Sequence, residues 1–179
     1  MTVTQTALPE VLLLEPKVFT DGRGVFFEAY NRKHLAAVGI AQEFVQDNQS
    51  TSKRNVLRGL HYQIRQPQGK LVRVLRGEIF DVAVDCRRSS PQFGKSVQVN
   101  LSAENHKMIW IPAGFAHGFL VLSESTEVLY KTTDFYAPEF ERTLLWNDPL
   151  LSIPWPSVEP QLSDKDRGGQ LLSEAELFE

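Results

Sequence analysis

LVRVLRGEIFDVAVD, residues 71–85, decides the fold. Its second half sets Phe80, Val82 and Val84 against Asp81, Ala83 and Asp85. That period of two belongs to an extended strand, whose successive side chains point to opposite faces. The stretch reads as two strands pivoting at Arg76-Gly77. Outward from it, strands are expected at GVFFEAY (24–30), EFVQDNQST (43–51) and VLRGLHYQ (56–63), all upstream. Downstream they are expected at KSVQVNL (95–101), KMIWIP (107–112), HGFLVL (117–122) and TEVLYKTTDFY (126–136). Gly, Pro, Asn and Ser punctuate these runs at short intervals, the pattern of an all-β sandwich or barrel. No alternation with long helices supports a doubly wound sheet. Two segments read as helical. NRKHLAAVG (31–39) carries Leu35 and Val38 on one side and Gly39 as a stop. LLSEAELF (171–178) offers Ser173 and Glu176 as a capping box.

The bulk properties fit one soluble globular domain. The chain has 179 residues, 42% hydrophobic and 23% charged, with a net charge of −3. An acidic balance argues against broad nucleic-acid binding, which shows as a basic domain, while leaving room for a local basic pocket. Cys86 is the single cysteine, so neither an intramolecular disulfide nor a cysteine-based zinc site is available, and a reducing cytoplasm is the expected home. The short apolar run near the N-terminus lacks a preceding basic stretch, and the tract 108–122 is too short to span a membrane as a helix. No membrane association is expected.

The chain has four histidines. His34 lies in the polar helix and His106 in the loop AENHK, and both read as surface residues. His61 and His117 differ, because each interrupts a strongly apolar strand. PAGFAH (112–117) has the form Pro-x-Gly-x-x-His, which resembles the second motif of cupin barrels. The first cupin motif would fall on His61-Tyr62-Gln63, with glutamine where metal cupins carry a second ligand. Two histidines without a third strong ligand make a poor transition-metal site, so no metal is expected. A histidine that is not a ligand is free to act as a base near neutrality. Its orienting partner would be Asp81 or Asp166, Lys70 would stabilise an enolate oxygen, and Tyr130 would return a proton from the other side.

These motifs occur together with DGRGVFFE, FVQDNQS, LSAENHK, LLWNDP, IPWP and LSDKD, in an order that resembles the dTDP-4-dehydrorhamnose 3,5-epimerase family from about Leu14 to Asp166. The resemblance implies a cupin-type jelly roll with small peripheral helices, in one domain spanning 1–179. It implies a cofactor-free isomerase that inverts C3 and C5 of dTDP-4-dehydro-6-deoxy-D-glucose to give dTDP-4-dehydro-L-rhamnose. On this sequence it makes His61 the proton acceptor with Asp166 as its partner, Tyr130 the proton donor, and Lys70 the group that polarises the C4 ketone. Arg23, Glu28, Gln46, Asp47, Asn48, Arg58, His117, Glu141 and Lys165 correspond to substrate-binding positions, and Tyr136 to the aromatic that stacks on thymine. It also implies a homodimer in which the region around 14–30 lends Phe19, Arg23 and Phe26 to the neighbouring site, and a helical C-terminal segment at 163–179. Two departures stand out: the turn IRQPQ (64–68) is tighter than the family pattern, which would shift Lys70, and RGGQ (167–170) would loosen the segment holding Asp166.

Two other readings stay open from sequence. A relative on the same scaffold would epimerise only C3 or C5, or isomerise the ketone. A non-catalytic cupin would bind the sugar nucleotide without exchanging its protons.

Overall fold

A computed structural model describes residues 1–179. In chain order the elements are β1 (Thr2–Gln5), β2 (Leu12–Glu15), β3 (Val18–Asp21), β4 (Gly24–Phe27), α1 (Arg32–Ala37), β5 (Gln46–Lys53), β6 (Leu57–Gln63) and β7 (Lys70–Arg76). There follow β8 (Glu78–Asp85), β9 (Ser96–Ser102), β10 (Met108–Ile111), β11 (Phe115–Val121), β12 (Ser125–Thr132), β13 (Glu141–Thr143) and α2 (Asp164–Arg167). A six-stranded sheet runs β1-β2-β10-β7-β12-β5, and a five-stranded sheet runs β13-β6-β11-β8-β9. Every pairing between these strands is antiparallel. The two sheets face each other as a jelly-roll barrel, so the all-β expectation holds, with β7 and β8 meeting at Gly77 as read.

Strand β8 shows why alternation was visible and what it conceals. Ile79, Asp81 and Ala83 point into the barrel, while Val82 and Val84 point outward, and all five are buried. The inward residues join Val72, Val74, Ile109, Phe115 and Val128 in the main core. The outward ones are covered by the C-terminal tail through Leu144, Leu151, Leu172 and Leu177. Each leucine buried there contributes about 1.5–3 kcal/mol of transfer free energy. Along the barrel the inward residues change character. One end is filled by these aliphatic and aromatic side chains; the other presents Asn48, Ser50, His61, Lys70, His117 and Tyr130.

The peripheral helices partly follow the sequence. Asn31 caps α1, its Oδ1 accepting from the amides of Lys33 at 3.0 Å and His34 at 3.3 Å, and buried Leu35 seats the helix on the six-stranded sheet. The expected helix at 171–178 is absent. That stretch makes only a turn, with Glu174 N–H and Ala175 N–H both donating to Leu171 O. Tertiary bonds override local propensity there: Leu172 N–H donates to buried Asp148 at 2.6 Å, and Tyr62 Oη donates to Glu176 O at 2.6 Å.

At the N-terminus, Leu14 is fixed within its own sheet between β1 and β10. The hairpin β3–β4 forms a separate two-stranded sheet, with Phe19 53%, Val25 56% and Phe26 71% exposed.

Candidate active site

The polar end of the barrel opens as a cleft of about 400 Å³, lined by thirteen residues of which three are hydrophobic. A recess of about 120 Å³ shares His61, Lys70, Tyr130, Tyr136 and Glu141 with it and adds Gln46 and Gln63.

His61 sits on β6 directly opposite His117 on β11. A β-bulge between them aims the neighbouring side chains. Arg58 pairs with Phe119 and His61 with His117, so Gly59 and Leu60 together oppose the single residue Gly118. Residues three apart on a regular strand would face opposite ways; the extra residue restores parity, and Arg58 and His61 both line the cleft. The bulge requires glycine, because Gly59 has φ +127° and a Cβ there would lie 2.5 Å from Gly118 Cα.

His61 Nε2 and Asp166 Oδ1 are 2.5 Å apart. Asp166 comes from α2, whose N-cap Ser163 does two jobs. Its Oγ accepts from Asp166 N–H at 3.2 Å and donates to Asp166 Oδ2 at 2.7 Å. Gly59 N–H is the third donor to the carboxylate, reaching Oδ1 at 3.3 Å. Burial opposes ionisation of Asp166, but the bonds from His61, Ser163 and Gly59 more than offset it and hold the carboxyl below its ordinary range. For His61, desolvation outweighs the attraction of Asp166 and lowers the imidazole below its ordinary value. At neutral pH the pair is therefore an ionised carboxylate orienting a neutral imidazole, which is the form that accepts a proton.

Lys70 is 8% exposed, and its Nζ donates to His61 O at 3.2 Å. Burial depresses its pKa to about 8, opposed by Glu141 and Asp81. The tight turn 64–68 leaves Lys70 in the cleft. Tyr130 lies on β12, in the opposite sheet from His61, and burial pushes its phenol up. Arg58, whose Nε donates to Ser52 Oγ at 3.0 Å, is the charged neighbour that opposes that rise.

His117 forms a second pair, Nε2 lying 2.8 Å from Asp81 Oδ2, with side chains 6% and 0% exposed. Both aspartates considered as partners of a catalytic histidine are thus used, one on each imidazole. Asp81 Oδ1 has no hydrogen-bond partner. At the cleft mouth, Glu141 accepts from Lys165 Nζ at 2.9 Å and from Tyr136 Oη at 3.1 Å. Burial raises its carboxyl, but Lys165, together with His61 and Tyr136, more than offsets that and holds it below the ordinary range.

The remaining expected residues lie elsewhere in the single chain. Asp47 faces outward from β5 between Gln46 and Asn48 and pairs with Lys131 at 2.9 Å, because its neighbours occupy the inward positions. Glu28 pairs with His34 at 2.7 Å beside α1. Arg23 pairs with Asp21 at 2.6 Å on the free hairpin, which also carries Phe19 and Phe26. Nor does RGGQ loosen Asp166. Gly169 packs so closely that a Cβ would lie 2.8 Å from the Leu144 backbone, and Gln170 bridges to Leu144. Ser50, Phe119 and Ser163 line the cleft without having been singled out. For Ser163 the signal was present: Ser163-x-x-Asp166 has the spacing of a capping box.

His, Cys, Asp and Glu form no group of three or more that could hold a metal ion. No helix is long and apolar enough to cross a membrane.

A family model described as dTDP-4-dehydrorhamnose 3,5-epimerase matches residues 5–174. The dTDP-4-dehydrorhamnose 3,5-epimerase of Pseudomonas aeruginosa is 61% identical over 180 residues, covering 99% of both chains. The crystal structure of dTDP-6-deoxy-D-glucose-3,5-epimerase from Legionella pneumophila in complex with dTDP-4-keto-L-rhamnose is 50% identical, with a TM-score of 0.95 over 98% of this chain and 94% of that one. A 3'-monoepimerase from Streptomyces bikiniensis in complex with dTDP-quinovose is more distant, at 33% identity and a TM-score of 0.88 over 94% of this chain and 87% of that one.

Proposed function

This chain belongs to the dTDP-4-dehydrorhamnose 3,5-epimerase family, and on that premise we propose how its residues carry the reaction. The enzyme is an isomerase that converts dTDP-4-dehydro-6-deoxy-D-glucose into dTDP-4-dehydro-L-rhamnose for dTDP-L-rhamnose biosynthesis. The protons on C3 and C5 are both alpha to the C4 ketone, so one set of groups serves both carbons in turn. His61, neutral and held by Asp166, removes the proton. Lys70, as the ammonium, stabilises the negative charge that develops on the ketone oxygen. Tyr130 delivers a proton from the other face, which completes the inversion. The observation that carries this reading is the placement of His61 and Tyr130 on facing sheets of one cleft, with Lys70 between them in sequence and beside His61 in space.

Arg58 and Lys165 offer positive charge to the diphosphate, Arg58 with a planar fork suited to its oxygens. Asn48, Gln46, His117 and Glu141 contact the sugar nucleotide, and Tyr136 stacks on thymine. The enzyme works as a homodimer in the cytoplasm. The exposed hairpin β3–β4 carries Phe19, Arg23 and Phe26 to the partner's cleft. Three apolar side chains more than half exposed on one small hairpin support that assignment.

Proton NMR in deuterated water with the keto sugar tests the reaction. Deuterium entering at both C3 and C5, with L-configured product, is the expected result. Deuterium at only one carbon and no L-configured product would make this chain a mono-epimerase, the activity of its Streptomyces bikiniensis relative.

A further inference from the structure

Gln63 occupies the position where a metal cupin would carry its second ligand, yet its amide serves the protein backbone. Nε2 donates to Gln66 O at 2.8 Å and to Phe135 O at 3.2 Å, and Oε1 accepts from Ala137 N–H at 2.9 Å. Both donors and one acceptor site of a side chain only 4% exposed are thereby committed. Two of the three bonds bracket one residue, Tyr136. Tyr136's own N–H donates to Gln46 Oε1 at 3.0 Å, and Gln68 Nε2 donates to the preceding Asp134 O at 2.9 Å. Three glutamines from separate parts of the barrel thus fasten the backbone from Asp134 to Ala137.

The ring they fasten is itself 53% exposed at the cleft mouth, held only through its hydroxyl to Glu141. A half-exposed aromatic on an immobilised backbone suits the reception of a planar ring, because the loop is ordered on folding rather than on binding. We propose that Gln63 is a positioning residue: it sets the Tyr136 wall of the cleft and, through it, the affinity for the nucleotide. The inference rests on the reading that Tyr136 stacks on the nucleobase, and deepens it.

The experiment is a double-mutant cycle read by calorimetric Kd for dTDP, with KM and kcat for the keto sugar measured alongside. Tyr136→Ala is expected to weaken dTDP by about tenfold to a hundredfold. Gln63→Met should weaken it by about tenfold, with KM rising in step and kcat falling by about threefold at most. In the Tyr136→Ala background Gln63→Met should add little, about twofold or less, because its effect passes through the missing ring. Gln63→Asn, which keeps the amide but shortens its reach, is the second variant where Gln63→Met does not fold, and is expected to shift Kd in the same direction. Weakening by Tyr136→Ala together with an unchanged or fully additive effect of Gln63 would overturn the inference and leave the nucleobase reading standing. An unchanged Kd in Tyr136→Ala would overturn that reading and the inference with it.

Discussion

Two histidines face each other across paired strands, and each meets a carboxylate, yet the two pairs are built differently. Asp166 receives three hydrogen bonds, from His61, Ser163 Oγ and Gly59 N–H. Asp81 receives one, from His117, and its other oxygen is bare. The His61 side chain is 23% exposed in the cleft and the His117 side chain 6%. A carboxylate with donors of its own stays ordered when its histidine changes charge or is removed. A carboxylate with none depends on the histidine beside it. The first arrangement suits an imidazole that gains and loses a proton in each turnover; the second suits an imidazole held in one place.

That contrast is open to attack by substitution. His61→Ala should lower kcat by about a thousandfold or more, the scale of a lost general base, while circular dichroism shows the fold retained, since Asp166 keeps two donors. Lys70→Met should cost about a hundredfold to a thousandfold in kcat, the scale of a lost oxyanion stabiliser. His117→Ala should weaken substrate binding, raising KM, and should also act on stability. It leaves the Asp81 charge buried and unpaired, a loss of about 3 kcal/mol or more, which thermal denaturation would report as a drop of about 6–12 °C. A His117→Ala variant as stable as the wild type would erase the distinction between the pairs.

The pH profile sharpens the comparison with a smaller effect. The imidazole of His61 is depressed by burial, so the base is already neutral below the ordinary histidine range of about 6.5 and the acid limb of kcat/KM should lie below it. In the proposed mechanism Lys70 acts as the ammonium, and its pKa is about 8, so activity should fall as pH rises through that value. An acid limb above the ordinary histidine range would contradict the neutral-imidazole assignment.

The sequence made the architecture legible through strand periodicity. Alternation in β8 located both faces of a strand, although both proved buried because the C-terminal tail covers the outer one. His61 and His117 were legible as polar interruptions of apolar runs. Arg58 joining His61 in the cleft followed from the resemblance alone; period-two reasoning places residues three apart on opposite faces, and the bulge at Gly59-Leu60 reverses that parity only once β11 is paired. The same locality explains the capping boxes. The pattern at Ser173 and Glu176 has no helix to cap, because Asp148 and Tyr62 claim that segment. The pattern at Ser163 and Asp166 does cap one, and directs the aspartate to His61. Asp47, Glu28, Arg23, Phe19 and Phe26 lie off the cleft of the single chain, and nothing in strand periodicity distinguishes them from the residues that line it.

Deuterium incorporation by the Tyr130→Phe and His61→Ala variants, compared side by side, tests the division of labour most directly. With the phenol lost, His61 still removes the proton and returns solvent deuterium to the same face, so label should enter the keto sugar without inversion. With the imidazole lost, no label should enter. Label entering the His61→Ala variant at the wild-type rate would contradict the account.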